Sequence, residues 1–131
     1  MKIMICYDGS SVSRAALNLG VQHAWAFMAD AVFLVQSMEG GLHIGRREFD
    51  NTERKLGAVC AELRDEGLPI EPRLLVRGMS AGEDLVRFAE ERQVDEIIIG
   101  IRRRSKVGKM VFGSTAQYVI LRAPCPVVTV K

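Results

Sequence analysis

The sequence predicts an α/β fold, in which an open parallel sheet is covered by helices on both faces. Five short apolar runs alternate with four stretches in which apolar residues recur at helical spacing, as expected for β-α units joined by right-handed crossovers. Four of the five runs are almost continuously apolar, which is typical of strands buried on both faces. The length of 131 residues suits one domain, residues 1–131.

The elements follow from these patterns in chain order. The predicted strands are Lys2–Tyr7, Ala31–Ser37, Ile70–Arg77, Glu96–Gly100 and Pro126–Val130. The predicted helices are Ser10–Met28, Glu48–Glu66, Ser80–Gln93 and Ser114–Arg122. Pro72 cannot donate a ladder hydrogen bond, so the third strand is expected at a sheet edge. The first helix is expected to bury a face made of Ala15, Ala16, Leu19, His23 and Ala26–Phe27, and Met38–Arg47, with three glycines, is the one long irregular stretch.

Composition excludes several classes of protein and site. No uncharged apolar run approaches the roughly 20 residues that cross a bilayer, and Asp8 comes too early for a signal peptide, so a cytoplasmic protein without a membrane partner is expected. Cys6, Cys60 and Cys125 form no C-x-x-C pair and are expected to be buried thiols. His23 and His43 are not spaced as a metal pair, and no metal site is predicted.

Charge is distributed unevenly along the chain. Residues 97–131 hold seven of the 18 basic residues and none of the 16 acidic ones. Five of the seven are clustered, namely Arg102, Arg103, Arg104, Lys106 and Lys109. The cluster indicates attraction for an anion, which could be a phosphate, a nucleic acid or an acidic partner. A solvated basic loop without a ligand is the alternative.

Candidate ligand-binding residues lie where strands end. Ligands of open α/β sheets bind beyond the carboxyl ends of the strands, here Tyr7–Ser10, Ser37–Met38 and Gly100 with the loop that follows. A glycine at position 100 would leave room for a ligand on the backbone. Gly113-Ser114-Thr115 opens a helix, so these residues either bind a phosphate or cap their own helix. The chain has no Walker loop, no G-x-G-x-x-G and no catalytic constellation, so no catalytic residues are predicted.

Several of these segments together resemble the universal stress protein family over the whole chain. The matching motifs are Tyr7-Asp8-Gly9-Ser10 with Ser13 and Ala15-Ala16, Val76-Arg77-Gly78, Ile97–Gly100, Phe112–Ala116 and Ala123–Val128. The resemblance implies a Rossmann-like, adenine nucleotide alpha hydrolase-like sheet in the order 3-2-1-4-5. It also implies a homodimer formed through the strand 126–130, whose edge would otherwise be unpaired.

The same resemblance implies a binding site for an adenine nucleotide, ATP or AMP. Nucleotide-binding members carry G-x2-G-x9-G-[S/T], onto which Gly100, Gly113 and Ser114 align. Asp8 matches an aspartate near the adenosine, and Ser37 lies where the adenine is lined. The full expected set is Tyr7, Asp8, Ser37, Gly100, Arg102, Arg103, Gly113, Ser114 and Thr115.

Arg103 is the one departure from the motif, because it replaces the second glycine. An arginine there could block backbone approach, or it could offer its guanidinium to the phosphates. The expected function is a cytoplasmic stress-response protein that binds the nucleotide as a regulatory ligand and is not an enzyme. The alternative is a nucleotide-independent interaction module whose basic loop, residues 102–109, contacts an acidic partner. Nucleic-acid binding is disfavoured, because aromatic side chains for base stacking are scarce near the basic residues.

Overall fold

Five parallel strands form one sheet in the order β3-β2-β1-β4-β5 in a computed structural model that describes residues 1–102 and 113–131. The strands are β1 (Lys2–Cys6), β2 (Ala31–Ser37), β3 (Ile70–Leu75), β4 (Glu96–Gly100) and β5 (Val127–Val130). The predicted fold class and the strand order that the family resemblance implied are both confirmed. Because β1 lies beside both β2 and β4, the direction of chain progression across the sheet reverses at this strand.

Four α-helices connect the strands within the described residues. They are α1 (Ser11–Ala26), α2 (Arg46–Asp65), α3 (Ala81–Arg92) and α4 (Ser114–Arg122). The stretch predicted to be irregular contains a single 3₁₀ turn at Gly41–His43, and α2 begins two residues before the predicted start. β3 ends at Leu75 and not at Arg77, since its partner β2 ends at Ser37, which pairs in register with Leu75.

Burial confirms that the sheet is covered on both faces. Alternate residues of β1 point to opposite sides, so Ile3 and Ile5 belong to the core beneath α1 and α2. Met4 and Cys6 belong to the core beneath α3 and α4. Ile3, Met4 and Ile5 have no exposed surface, which explains why the strand is almost continuously apolar.

The buried face predicted for α1 is partly wrong. The buried residues of the helix are Ser13, Ala16, Gly20 and Ala24, whereas Phe27 is 50% exposed. The absence of a side chain at Gly20 explains which face of α1 is buried. A Cβ at this position would lie 2.6 Å from Cγ1 of Ile5, so the helix can approach β1 this closely only through a glycine. The helix therefore packs on the sheet through its small residues, and its larger apolar residues lie to the side or in solvent.

The two edges of the sheet are β3 and β5. The position of β3 confirms the expectation from Pro72, which pairs in register with Leu34 of β2. β5 pairs with β4 alone within the described part of the chain. None of the helices formed by residues 1–102 and 113–131 has the length and apolar character that crossing a membrane requires.

Candidate functional site

A cleft of about 560 Å³ opens at the carboxyl ends of β1, β2 and β4, where the direction of the strand order reverses. This volume is in the range of small-molecule sites, roughly 300–1,000 Å³. Eight of the nine predicted site residues line it, namely Tyr7, Asp8, Ser37, Gly100, Arg102, Gly113, Ser114 and Thr115. The ninth, Arg103, lies outside the described residues. Parallel strands bring these distant segments together because their carboxyl ends share one edge.

Asp8 is held in the turn that joins β1 to α1. Its Oδ1 accepts a hydrogen bond from the backbone N–H of Ser10 at 2.9 Å, and Gly9 adopts the left-handed backbone that the turn needs, with φ +82°. Oδ2 lies 3.4 Å from Nη2 of Arg102. Partial burial alone would raise the pKa of Asp8, but hydrogen bonds from Ser10 and Ser13 and the charge of Arg102 lower it below its ordinary value. The carboxylate is thus ionised, half-exposed and fixed in direction.

Gly100 lines the cleft, but the structure gives a different reason for a glycine here than the one expected. A Cβ at this position would lie 2.5 Å from the carbonyl oxygen of Val12 and 2.6 Å from its carbonyl carbon. The end of β4 therefore touches the backbone of the first turn of α1. The missing side chain allows this backbone contact, whether or not a ligand is present.

The N-terminus of α4 borders the cleft without a side-chain cap. Gly113 is the N-cap residue, so neither Ser114 nor Thr115 caps the helix as one of the two sequence interpretations supposed. By contrast, Ser10 accepts a hydrogen bond from the N–H of Ser13 in α1. Ser80 does the same for Glu83 in α3. Among these three helix ends, α4 is the one whose first N–H groups receive no capping bond within the described residues.

The side of the cleft beneath β2 and α3 is largely apolar. There it is formed by Val35, Ala81 and Leu85, together with the hydroxyl-bearing Ser37, and Cys6, Ile99 and Ala116 continue the apolar lining under β1, β4 and α4. Burial raises the pKa of the Cys6 thiol to about 12, so this cysteine is a neutral wall residue and not a nucleophile. The cleft therefore has an apolar end and a polar end that is built from Asp8, Arg102 and α4.

The sequence analysis correctly placed Asp84 on α3, but it did not predict the hydrogen bonds that this side chain forms in the interior. Acidic residues are common in the first turn of a helix, which is enough to explain its position. In the structure its side chain is fully buried and accepts hydrogen bonds from Nε of Arg77 at 2.6 Å and from Oγ of Ser37 at 3.1 Å. No local signal could have revealed these partners, because they depend on tertiary packing.

The basic cluster is described only at its first residue. Arg102 lines the cleft, whereas Arg103, Arg104, Lys106 and Lys109 lie outside the described residues. Residues 1–102 and 113–131 contain no group of three His, Cys, Asp or Glu side chains placed to hold a metal ion.

Comparison with known proteins identifies the family. The universal stress protein family matches this chain over residues 1–131. The chain belongs to the universal stress protein family. A universal stress protein of Mycolicibacterium smegmatis is 32% identical over 129 residues, which cover 98% of this chain and 96% of the relative.

Two solved structures of universal stress proteins from Archaeoglobus fulgidus share the fold closely. The first has a TM-score of 0.86 and 35% identity, and it covers 100% of this chain and 98% of its own. The second, which is in complex with dAMP, has a TM-score of 0.83 and 32% identity, with the same 100% and 98% coverage. This universal stress protein therefore matches these three relatives over nearly the full length of both chains.

Proposed function

We propose that this universal stress protein binds an adenine nucleotide, ATP in particular, in the cleft and uses it as a regulatory ligand. The observation that carries the proposal is the order of chemical character along the cleft. Val35, Ala81 and Leu85 form an apolar wall at β2 and α3, and the Asp8 carboxylate follows at β1. Arg102 lies beyond, with the N-terminus of α4, which has no side-chain cap among the described residues. A nucleotide has the same order of base, sugar and phosphate.

The polar end suits phosphate for two reasons. Free N–H groups and the positive end of the helix dipole favour an anion at the start of α4. The guanidinium of Arg102 adds a positive charge and directional donors. Between the two ends, the ionised Asp8 can accept hydrogen bonds from sugar hydroxyls. The dAMP complex of the Archaeoglobus relative, at 32% identity, supports the same class of ligand.

Regulation is favoured over turnover by the character of Asp8. General-base activation of water is most effective when the pKa of the base lies near the working pH, and Asp8 is the carboxylate that lines the described cleft. Its lowered pKa makes it a weak base for activating water. We therefore infer a binding protein that is not an efficient enzyme. Membership of the family supports a cytoplasmic role in the stress response.

Calorimetric titration of the full chain with ATP, AMP and a short oligonucleotide tests the proposal. We expect saturable binding of ATP and AMP at one site per chain, with ATP tighter, and no saturable binding of the oligonucleotide. Calorimetry is preferable to tryptophan fluorescence because Trp25 lies near the C-terminal end of α1, some 20 Å along the helix from the cleft.

A negative result would be equally informative. An interaction of about −4 kcal/mol, a millimolar affinity, still registers at high ligand concentration. If ATP gave no heat of binding at millimolar concentration and low salt, the proposal that the protein binds a nucleotide would be wrong. The alternative, an interaction module whose residues 102–109 contact an acidic partner, would then be favoured.

A further inference from the structure

Asp8 and Arg102 are the two charged side chains among the described residues that line the cleft. Asp8 follows β1 and Arg102 follows β4, and these two strands are neighbours in the sheet. Nη2 of Arg102 lies 3.4 Å from Oδ2 of Asp8, and each side chain is about half exposed. The positive and the negative charge of the cleft are thus paired with each other.

This pairing involves the oxygen of Asp8 that a ligand would need. Oδ1 accepts a hydrogen bond from the backbone N–H of Ser10 at 2.9 Å, so Oδ2 has the greater remaining capacity to accept. Oδ2 is the oxygen that faces Arg102. A guanidinium only donates and an ionised carboxylate only accepts. A hydroxyl group that approaches Oδ2 therefore meets Arg102 as a competing donor, and an anion that approaches Arg102 meets Asp8 as a competing acceptor.

The ion pair is loose enough for a ligand to separate it. Charge-assisted hydrogen bonds of this type are usually about 2.7–2.9 Å long. The 3.4 Å between Arg102 and Asp8 is well beyond that range. Ion pairs between exposed side chains contribute little to stability, because water screens them and both side chains lose freedom. Asp8 is fixed by its bond to Ser10, so the longer side chain of Arg102 is the one that moves away.

We propose that the pair of Asp8 and Arg102 makes the cleft select a complete nucleotide against either of its halves. This selectivity rests on the proposed function, since it concerns the ligand of the same cleft. A free polyphosphate gains Arg102 but leaves the Asp8 carboxylate unpaired beside its own negative charge. A free nucleoside gains Asp8 but leaves Arg102 without its acceptor. A nucleotide replaces both members of the pair, because its hydroxyls donate to Asp8 and its phosphates accept from Arg102.

Calorimetric titration with the two half-ligands, adenosine and sodium tripolyphosphate, tests this selectivity in the absence of divalent cations. Asp8→Asn should bind tripolyphosphate about 2- to 5-fold more tightly than the parent, as for the loss of one exposed ion pair, and adenosine more weakly. Arg102→Ala should show the opposite pattern, with adenosine bound about 2- to 5-fold more tightly and tripolyphosphate more weakly. A damaged cleft would weaken both half-ligands together, so a structural defect cannot produce the crossed pattern.

The double variant separates competition for Arg102 from simple repulsion by Asp8. The carboxylate repels tripolyphosphate directly, and this repulsion persists when the guanidinium is removed. The gain from Asp8→Asn should therefore shrink in the Arg102→Ala background, because no guanidinium remains to be released. An equal or larger gain in that background would overturn the proposal.

Two control variants change the net charge by the same amounts away from the cleft. They are Asp65→Asn and Arg47→Ala, which alter exposed side chains of α2 that are not among the residues lining the cleft. Both should bind the half-ligands as the parent does. Thermal melting checks that every variant folds. If Asp8→Asn did not fold, the opposite responses of Arg102→Ala to the two half-ligands would decide alone.

The outcomes separate this inference from the proposed function. If ATP binds, but Asp8→Asn holds tripolyphosphate no more tightly than the parent, selection by the ion pair is refuted while nucleotide binding stands. Weaker binding of tripolyphosphate by Asp8→Asn would show that Asp8 positions Arg102 for the anion, which refutes the competition as well. Failure of ATP to bind the parent would refute both proposals.

Discussion

Asp8 is the side chain that most directly connects the turn after β1 to the proposed ligand. Asp8→Asn should weaken ATP and AMP binding by about 10-fold, because a charged acceptor contributes more to a hydrogen bond than a neutral one. The fold should persist, since the amide oxygen can still accept from the N–H of Ser10. Asp65→Asn, an exposed carboxylate at the end of α2, is the control. Calorimetry measures the ATP and AMP affinities of both variants, and thermal melting checks their folding. If both variants bound the nucleotides as tightly as the parent, a role for Asp8 in ligand binding would be contradicted.

The lowered pKa of Asp8 also predicts a pH dependence of stability. A group whose pKa is lower in the folded state stabilises the fold above its unfolded value, about 3.9, and this contribution is lost as pH falls through the folded value. Asp8→Asn removes the titration, so its free energy of unfolding should fall less steeply than that of the parent in acid. Denaturant titrations at pH 7 and at successive values below 4 measure the difference. Equal slopes would show that the hydrogen bonds to Asp8 contribute no net stability.

Single residues also show how far a sequence can predict a site. The predicted residues at the ends of β1, β2 and β4 do line one cleft, because strand pattern and family motifs both report on position along the fold. The role of Asp84 was missed because its burial and its hydrogen bond to Ser37, 47 residues away, follow from tertiary packing and leave no pattern in the local sequence. Gly100 was assigned to the ligand, whereas a Cβ at this position would meet the backbone of Val12.

Among the helices, α4 offers the sharpest test of phosphate binding. Gly113 has φ −60° and ψ 154°, a backbone that serine adopts readily at an N-cap. Gly113→Ser should therefore cap α4, stabilise the protein by a few tenths of a kcal/mol and compete with phosphate for the helix N–H groups. ATP affinity should fall.

The matched control for this change is Gly45→Ser. Gly45 is the uncapped N-cap of α2, with φ −65° and ψ 142°, and it does not line the cleft. Gly45→Ser should give the same small gain in stability without any change in ATP affinity. Unchanged affinity in both variants, measured by calorimetry, would argue against phosphate at α4.

The packing of α1 on β4 predicts a contrast between two glycines. Gly100→Ala should destabilise the protein by about 1–3 kcal/mol, because the new methyl group meets the backbone of Val12, which cannot rotate away. Gly57→Ala in α2 has nothing within 4 Å of the new Cβ and should stabilise by about 0.5–1 kcal/mol. Urea unfolding measures both. If Gly100→Ala left the free energy of unfolding unchanged, α1 would have to shift freely relative to β4.

Helices and strands were more predictable than their buried faces. The apolar runs predicted all five strands, and Pro72 predicted the edge position of β3. The face of α1 was not predicted correctly, since apolar content favoured Phe27 and the close approach of the helix favours Gly20. Hydrophobic spacing reports which residues can be buried, but the distance between layers decides which ones are.

For the complete chain, we propose a homodimer that forms through β5. Pro126 and Val130 direct their carbonyl groups to β4, so by alternation Val127 and Thr129 direct their N–H and C=O groups outward. Leu121, on the preceding helix, is 70% exposed. Pairing two such edges about a two-fold axis would satisfy the outward groups.

Thr129→Pro tests this arrangement, because it removes an outward N–H and leaves the bonds to β4 in place. Light scattering at tens of micromolar, an order-of-magnitude choice for a moderately tight association, should show a dimer for the parent and a monomer for the variant. Both should unfold in one cooperative transition if residues 1–131 form one domain, as predicted. A monomeric parent would refute the dimer.

The contact between Gly100 and Val12 bears on how related sequences should be interpreted. A glycine that is required by backbone packing will be retained by selection for folding, even in a descendant that has lost its ligand. Apart from Gly113 itself and its chain neighbours, no atom of residues 1–102 and 113–131 lies within 4 Å of a Cβ built on Gly113, so packing against this part of the chain would tolerate other residues there. If the proposed nucleotide binding holds, drift at position 113 would therefore mark its loss in this lineage earlier than any change at position 100.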